Sequence, residues 1–181
     1  MAIEVGQRLL RVADLERTRG AFGEARTLPG EVYSSEDVLR LEQRGIFARE
    51  WLCVGREADI PKAGDWFLKE IAGDSVIVTR DAEGVINAFY NVCRHRGSRL
   101  LDEPQGHGLA RILCPYHAWS YHLDGSLQNA PRMGADFCKS DHSLRPVKTG
   151  FHEGFIFLNL DQGAQPGQQG VERDERDARG R

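Results

Sequence analysis

The sequence lacks any apolar run that approaches the ~20 residues needed to cross a membrane as a helix. Its N-terminus, MAIEVGQRLLRVADLERTRG, has no uninterrupted apolar stretch of signal-peptide length either. An excess of basic residues is also absent, since 24 lysines and arginines stand against 27 aspartates and glutamates and the formal net charge is -3. We therefore expect a cytoplasmic protein that binds neither membranes nor nucleic acid.

Cysteine is scarce, because the 181 residues contain only four, at positions 53, 93, 114 and 138. Cys93 and Cys114 each lie within three residues of a histidine. In a reducing compartment this proximity favours metal ligation over disulfide formation. Cys53 stands among apolar neighbours and is predicted to be a small buried hydrophobic residue, whereas Cys138 is interpreted as an incidental free thiol.

Helical patterns are short and confined to the N-terminal part of the chain. Apolar residues over 7–17 are spaced loosely as in a helix, but the segment is short and predicts only a marginal one. A second helix is predicted to begin at Ser34, whose hydroxyl can cap the backbone while Asp37 completes a capping box. We expect this helix to end near Gly45.

From Trp51 onward the pattern changes to short runs rich in Val, Ile, Phe, Trp and Tyr, which are typical of strands. Turn signals separate the runs, and Asp124-Gly125 is the best hairpin candidate. The predicted strands lie within residues 51–55, 65–71, 75–80, 84–90, 110–117, 119–123 and 154–160. We therefore predict a mainly β protein built of antiparallel sheets or a small barrel, with a short N-terminal helical lead-in.

The segment after Leu160 has almost no apolar side chains, and Val171 is its only large aliphatic residue. Burial of so little apolar surface cannot offset the entropy of ordering the chain. Residues 161–181 are accordingly predicted to be a disordered polar tail. The expected organisation is a lead-in over 1–33, a β domain over 34–160 and this tail.

Two short motifs carry the chemistry of the chain. Cys93-Arg94-His95 forms the first, and Cys114-Pro-Tyr-His117 forms the second after 18 intervening residues. A Rieske [2Fe-2S] centre holds one iron by two cysteines and the other by two histidines, so each of two loops must supply one thiolate and one imidazole. The motifs meet this requirement, and Cys93, His95, Cys114 and His117 are the candidate cluster ligands.

The mixed ligand set has an electrostatic consequence. Two ferric ions and two sulfides carry two formal positive charges, which two thiolates cancel, whereas four thiolates would leave a net negative cluster. An electron is added more easily to the neutral cluster, and the reduction potential rises. A structural zinc site remains an alternative, although such sites usually pair Cys with Cys and His with His in separate arms.

The segments NVCRHRG and CPYHAWSY, with the hairpin LDG after them, resemble the N-terminal Rieske domain of ring-hydroxylating oxygenase α subunits and of their choline- and carnitine-type relatives. The resemblance covers roughly residues 30–160. Respiratory-chain Rieske proteins carry additional cysteines that link their two cluster loops, and here Ser98 and Tyr116 occupy those positions. The resemblance implies a Rieske-type antiparallel β sandwich or barrel with two cluster-binding loops.

For the site, the resemblance implies that Cys93 and Cys114 ligate one iron and that His95 and His117 ligate the other through Nδ1. Trp119 is then expected to pack beside the cluster. Pro131 in NAPRM is similar to part of the family's covering loop, although a surface turn explains the same residues. Arg94 and Arg96 can steer an acidic partner, but solvated surface charges are the favoured interpretation.

The resemblance also implies a function and partners. In the family, a larger catalytic domain follows, where two histidines and a carboxylate hold a mononuclear Fe(II); here only 21 residues follow Leu160 and none is histidine. We expect the chain to relay electrons from a reductase or ferredoxin to an oxygenase catalytic domain or subunit that it lacks, without oxygenase activity of its own. A stand-alone Rieske ferredoxin is the alternative, and the polar tail suggests a truncated or frameshifted reading frame.

Overall fold

The computed structural model describes residues 12–134 and 136–165. The chain divides into two compact units, and the division falls between Phe47 and Ala48. The domain boundary predicted before residue 34 lies inside the first unit. Within the described ranges, no helix combines the length and the apolar character that a membrane span requires.

The first unit is helical. It contains α1 (Val12–Thr18), a 3-10 turn (Gly30–Tyr33), α2 (Glu36–Glu42) and a π-helical turn (Gln43–Phe47) that continues α2. Residues 7–11 of the first predicted helix lie outside the described residues. The end predicted near Gly45 falls within the π-helical turn, so the helical backbone extends to Phe47.

The N-cap of α2 is Ser35 and not Ser34, which corrects the capping prediction. Ser35 Oγ accepts a hydrogen bond from the Val38 amide at 3.4 Å. Ser34 instead closes the preceding 3-10 turn, its amide donating to the Glu31 carbonyl. Asp37 does not complete a capping box, because its carboxylate pairs with Arg40 at 2.9 Å on the exposed face of the helix.

The second unit is almost entirely β. Its strands in the described residues are β1 (Leu52–Arg56), β2 (Trp66–Ile71), β3 (Asp74–Arg80), β4 (Ile86–Tyr90), β5 (Gln105–Gly106), β6 (Ile112–Leu113), β7 (Ser120–Tyr121), β8 (Leu127–Asn129), β9 (Lys148–His152) and β10 (Phe155–Asn159). They form three antiparallel sheets with strand orders β1-β10-β9, β4-β3-β2-β5 and β6-β7-β8. The predicted fold class, mainly β with antiparallel sheets and a short helical lead-in, is confirmed.

Alternation along β3 joins two hydrophobic cores. Val76 and Val78 face one core while Ile77 faces the other, because successive side chains of a strand point to opposite sides of the sheet. We call the first the scaffold core; its buried members are Val54, Ile60, Phe67, Ile71, Val76, Val78, Ile86, Ala88, Val147, Ile156, Leu158 and Leu160. The second, the arm core, consists of Ile77, Phe89, Cys93, Leu100, Ile112, Cys114, Trp119, Tyr121, Leu123, Leu127 and Leu144.

The same alternation corrects the prediction for Cys53. Val54 is buried in the scaffold core, but Cys53 points to the opposite face of β1 and is exposed. Apolar neighbours in sequence therefore did not imply a buried cysteine, since adjacent strand residues do not share a face. Cys138 is also exposed, in agreement with its interpretation as a free thiol.

The hairpin between β7 and β8 turns at Asp124-Gly125 as predicted. The His122 amide donates to the Ser126 carbonyl at 2.9 Å, and the Ser126 amide donates to Asp124 Oδ1 at 2.8 Å. Gly125 has φ +83°, and a Cβ there would lie 2.3 Å from the Phe89 ring. Both the turn and its packing against β4 therefore require glycine at this position.

The predicted disordered tail is described only in part, because residues 166–181 lie outside the described residues. Residues 161–165 make specific contacts. Gln162 Nε2 donates to the Pro146 carbonyl at 3.0 Å, and Trp51 Nε1 donates to the Gln165 carbonyl at 3.1 Å. The first residues of the predicted tail thus pack on the β unit.

Candidate metal centre

The two motifs form two loops, here called arms, with the same backbone hydrogen bonds. In the first arm the Cys93 amide donates to the Ser98 carbonyl at 2.8 Å, and the Gly97 amide donates back to the Cys93 carbonyl at 3.0 Å. In the second arm the Cys114 amide donates to Trp119 at 2.7 Å, and the Ala118 amide donates back to Cys114 at 3.1 Å. The histidine spacing differs between the arms, yet each is closed by the same pair of bonds.

Each arm turns through a residue with left-handed backbone. Gly97 has φ +72° and Ala118 has φ +58°. Glycine adopts this conformation without a steric penalty, whereas an alanine Cβ approaches the following carbonyl and costs about 1–2 kcal/mol. The second arm therefore carries backbone strain that the first does not.

The two thiols lie inside the arm core. Cys93 and Cys114 are 2% and 3% exposed, and their thiols interact. Burial raises the pKa of the Cys93 thiol, and the adjacent Cys114 raises it further. Among the described residues both cysteines are free, so neither is used in a disulfide.

Tyr121 links the arms at the level of the thiols. Its hydroxyl lies 3.3 Å from Cys93 Sγ and accepts a hydrogen bond from the Arg94 amide at 3.0 Å. The ring is fully buried, and this burial is the main reason that the pKa of Tyr121 is raised. The phenol remains protonated and can donate to the sulfur. No local pattern marks Tyr121 as part of the site, although it occupies the predicted strand that follows the second arm.

The two imidazoles lie beside each other and are less buried than the thiols. The ring centroids of His95 and His117 are 4.8 Å apart, with the rings 72° from parallel. Within the described part of the chain, the Nδ1 atoms of both rings are buried without a hydrogen-bond partner. Desolvation lowers the pKa of His95, with smaller contributions from His117 and Arg96. A neutral imidazole with a free inward nitrogen is the form that binds a metal.

Aromatic side chains hold the imidazoles in place. Trp119 stacks on His95 with 4.8 Å between centroids and 13° between planes, as expected for a residue beside the cluster. Tyr116 lies against His117 at 3.9 Å and is exposed. Phe137 packs edge-on against Trp119 at 5.4 Å. These aromatic contacts therefore hold both imidazole rings without the help of a metal.

The segment that contains Pro131 contacts the site through two residues further along the chain. Pro131 is half-buried, whereas Phe137 and His142 contact Trp119. The Cys138 carbonyl, 3.0 Å from His142 Nδ1, can accept a hydrogen bond from that nitrogen. Proximity to Trp119 arises from tertiary packing, and no local pattern marks it.

Two polar anchors position the arms on the scaffold. Asn91, 1% exposed, accepts from the Leu100 and Leu101 amides at 3.1 and 3.0 Å and donates to the Leu101 carbonyl at 2.6 Å, which ties both ends of the first arm together. In the segment between the arms, His107 Nδ1 lies 2.9 Å from the buried Asp65 carboxylate. The Lys62 amide and then His107 lower the pKa of Asp65.

The candidate donors form two pairs, the interacting thiols of Cys93 and Cys114 and the adjacent rings of His95 and His117. No group of three or more His, Cys, Asp or Glu side chains in the described residues surrounds a single metal position. A tetrahedral zinc site would require such a group, whereas a two-iron cluster takes two protein ligands per iron. Two buried thiols and two half-buried imidazoles with unpartnered Nδ1 atoms fit a cofactor with two metal positions. The pair His117 and His122 likewise belongs to no three-residue group.

The part of the chain that contains both arms is similar to known proteins. Residues 50–149 match the Rieske [2Fe-2S] domain family. The glycine betaine monooxygenase oxygenase subunit of Chromohalobacter salexigens is 44% identical over 135 residues, which are 74% of this chain and 30% of that protein. The carnitine monooxygenase oxygenase subunit of Escherichia coli K12 is 39% identical over 145 residues, which are 78% and 38% of the two chains. The chain therefore spans about a third of the length of these relatives.

Solved structures agree on the fold. The apo form of the quaternary ammonium Rieske monooxygenase CntA has a TM-score of 0.71 at 37% identity, over 77% of this chain and 41% of that one. Naphthalene 1,2-dioxygenase from Rhodococcus sp. has a TM-score of 0.80 at 31% identity, over 91% and 37%. The resemblance drawn from the two motifs is confirmed over the β unit that carries both arms. On these grounds the chain belongs to the Rieske [2Fe-2S] domain family.

Proposed function

We propose that Cys93, His95, Cys114 and His117 hold a Rieske [2Fe-2S] cluster and that the chain relays single electrons within an oxygenase system. The observation that carries the proposal is the pair of buried, unpartnered Nδ1 atoms next to two buried thiols. Burying a polar nitrogen without a partner is costly, so these atoms are expected to bind something. When bound, the cluster supplies reversible one-electron chemistry at a raised potential.

Residues around the ligands tune and protect the proposed cluster. Tyr121 donates a hydrogen bond toward Cys93 Sγ, which stabilises negative charge on that sulfur. Trp119 holds the plane of the His95 ring. The arm core keeps water away from the thiols, because its members are buried.

The partners follow from the relatives. Both cited relatives are oxygenase subunits by name. We propose that a reductase or ferredoxin supplies the electron and that a catalytic domain with a mononuclear Fe(II) receives it. A quaternary ammonium compound is the substrate class proposed for the whole system, since the relatives are named for glycine betaine and carnitine. The relatives favour this role over a stand-alone Rieske ferredoxin, and a cytoplasmic location remains a prediction.

The proposal is tested by cofactor analysis of anaerobically purified protein. We expect about two irons and about two acid-labile sulfides per chain, with a rhombic electron paramagnetic resonance spectrum after reduction. His117→Ala should abolish this spectrum, whereas His122→Ala, which changes an exposed histidine, should leave it intact. Stoichiometric zinc without sulfide would show that the chain is a zinc protein instead.

A further inference from the structure

A cleft of about 810 Å³ opens beside the first arm. Its lining residues include Cys93 and Arg94 of the first arm together with Tyr90, Arg145 and Asp74. The backbone brings these segments together, because the Tyr90 amide donates to the Arg145 carbonyl at 3.1 Å. The cleft therefore reaches the buried cysteine side of the proposed cluster from the protein surface.

The two arginines of the cleft have no partner among the described residues. Neither Arg94 nor Arg145 forms an ion pair or a side-chain hydrogen bond there, and the Nε of Arg94 is buried without a partner. Arg99 differs, because it pairs with Glu70 at 2.9 Å. A guanidinium presents several donors and binds carboxylates well, so an unpaired arginine beside a cleft is suited to an external anion.

The charge around the cleft is opposite to that of the chain as a whole. The chain has a formal net charge of -3, yet the charged side chains that line the cleft are two arginines and one aspartate. Asp74 is an acidic residue that lines the cleft, and Arg94 with Arg145 outweighs it. Val92, 45% exposed, adds an apolar contact at the rim. A cationic patch with an apolar rim complements the acidic surface of another protein.

We propose that this cleft is the docking site for an acidic [2Fe-2S] electron donor, whose surface carboxylates bind Arg94 and Arg145. The proposal rests on the proposed function, because it requires a cluster in the arms. One electron leaves the donor's cluster, which is oxidised, and enters the cluster of this chain, which is reduced; no bond or atom is transferred. Plant-type ferredoxins have lower reduction potentials than Rieske centres, so the transfer is downhill.

The experiment is stopped-flow reduction of the cluster-loaded full chain by a reduced acidic plant-type [2Fe-2S] ferredoxin. The variants are Arg94→Gln, Arg145→Gln and Arg145→Glu. Arg111→Gln is the matched control, since Arg111 is exposed, does not line the cleft and forms no ion pair in the described structure. We expect each cleft neutralisation to lower the second-order rate constant about three- to tenfold and Arg145→Glu to lower it further. The wild-type rate should fall steeply with added salt.

The outcomes separate the two proposals. A chain without iron and sulfide, or one that dithionite cannot reduce, would refute the proposed function. If dithionite reduces every variant but the cleft variants match Arg111→Gln with ferredoxin, the function stands and the docking site is wrong. A wild-type rate that does not change with salt also overturns the docking site. If Arg94→Gln fails to fold, Arg145→Glu decides, because Arg145 is exposed.

Discussion

The scaffold core and the arm core share strand β3 but are built differently. The scaffold core packs aliphatic and aromatic side chains of long strands such as β2, β3 and β10, whose backbones pair along their whole length. The arm core includes side chains of β6, β7 and β8, which are strands of only two or three residues. It also contains two thiols, a phenol and an indole. Apolar burial is sufficient to order the first. The second places polar atoms in the interior, so we expect its order to depend on what those atoms bind.

Loss of the cofactor should separate the two cores most clearly. Cys114→Ser is expected to reduce iron and sulfide to background and to raise amide hydrogen exchange in both arms, while β2 and β3 stay protected. Cys53→Ser is the matched control, because Cys53 is an exposed free cysteine on β1 and lies in neither arm. Mass spectrometry of exchanged peptides measures the effect. Equal loss of protection in both cores would show that they fold as one unit.

A second comparison of the two cores uses the same cavity-forming substitution, isoleucine to alanine, in each of them. Ile156 in the scaffold core and Ile112 in the arm core are both fully buried. Replacing either by alanine should lower the free energy of unfolding by about 2–5 kcal/mol. Only Ile112→Ala should also speed cluster release, because Ile112 lies two residues before Cys114. Denaturant melts and the decay of visible absorbance test this, and faster release from Ile156→Ala would contradict it.

A smaller effect is expected from the hydroxyl that faces the first thiol. Tyr121→Phe removes the group 3.3 Å from Cys93 Sγ. Loss of one hydrogen bond of about 1 kcal/mol should lower the reduction potential by tens of millivolts, since the bond stabilises the more negative reduced cluster. Tyr116→Phe is the control at an exposed tyrosine. Redox titration that gives the same potential for both variants would exclude the proposed hydrogen bond.

The smallest predicted difference lies between the two arms themselves. Gly97→Ala should destabilise the first arm by about 1–2 kcal/mol for conformational reasons alone, because a Cβ at Gly97 would meet no atom within 4 Å. Ala118→Gly should change stability in the opposite direction by about 1 kcal/mol or less, since relief of strain is partly offset by the entropy of glycine. Thermal unfolding of the loaded protein measures both shifts. If both substitutions shifted the unfolding temperature in the same direction, left-handed backbone at Gly97 and Ala118 would not explain the stability of the arms.

The sequence predicted the long strands and the turns well, because these depend on local patterns. β1 to β4 and β10 lie within the predicted runs, with small shifts at their ends, and the Asp124-Gly125 hairpin forms as expected. It did not predict β5, β8 or β9, which are short or contain polar residues and glycine beside a single large apolar residue at most. These strands form because a neighbour offers free backbone groups, and their own composition does not favour them.

By itself the sequence determined the candidate ligands and the chemistry that they suit, because residue type and spacing limit what two short loops can bind. Tertiary structure alone decided that Tyr121 faces Cys93 and that Arg145 joins Arg94 in one cleft. Tyr121 and Cys93 are 28 positions apart in sequence. Such neighbours are set by sheet pairing and by the packing of the arm core, and no local pattern in the sequence encodes them.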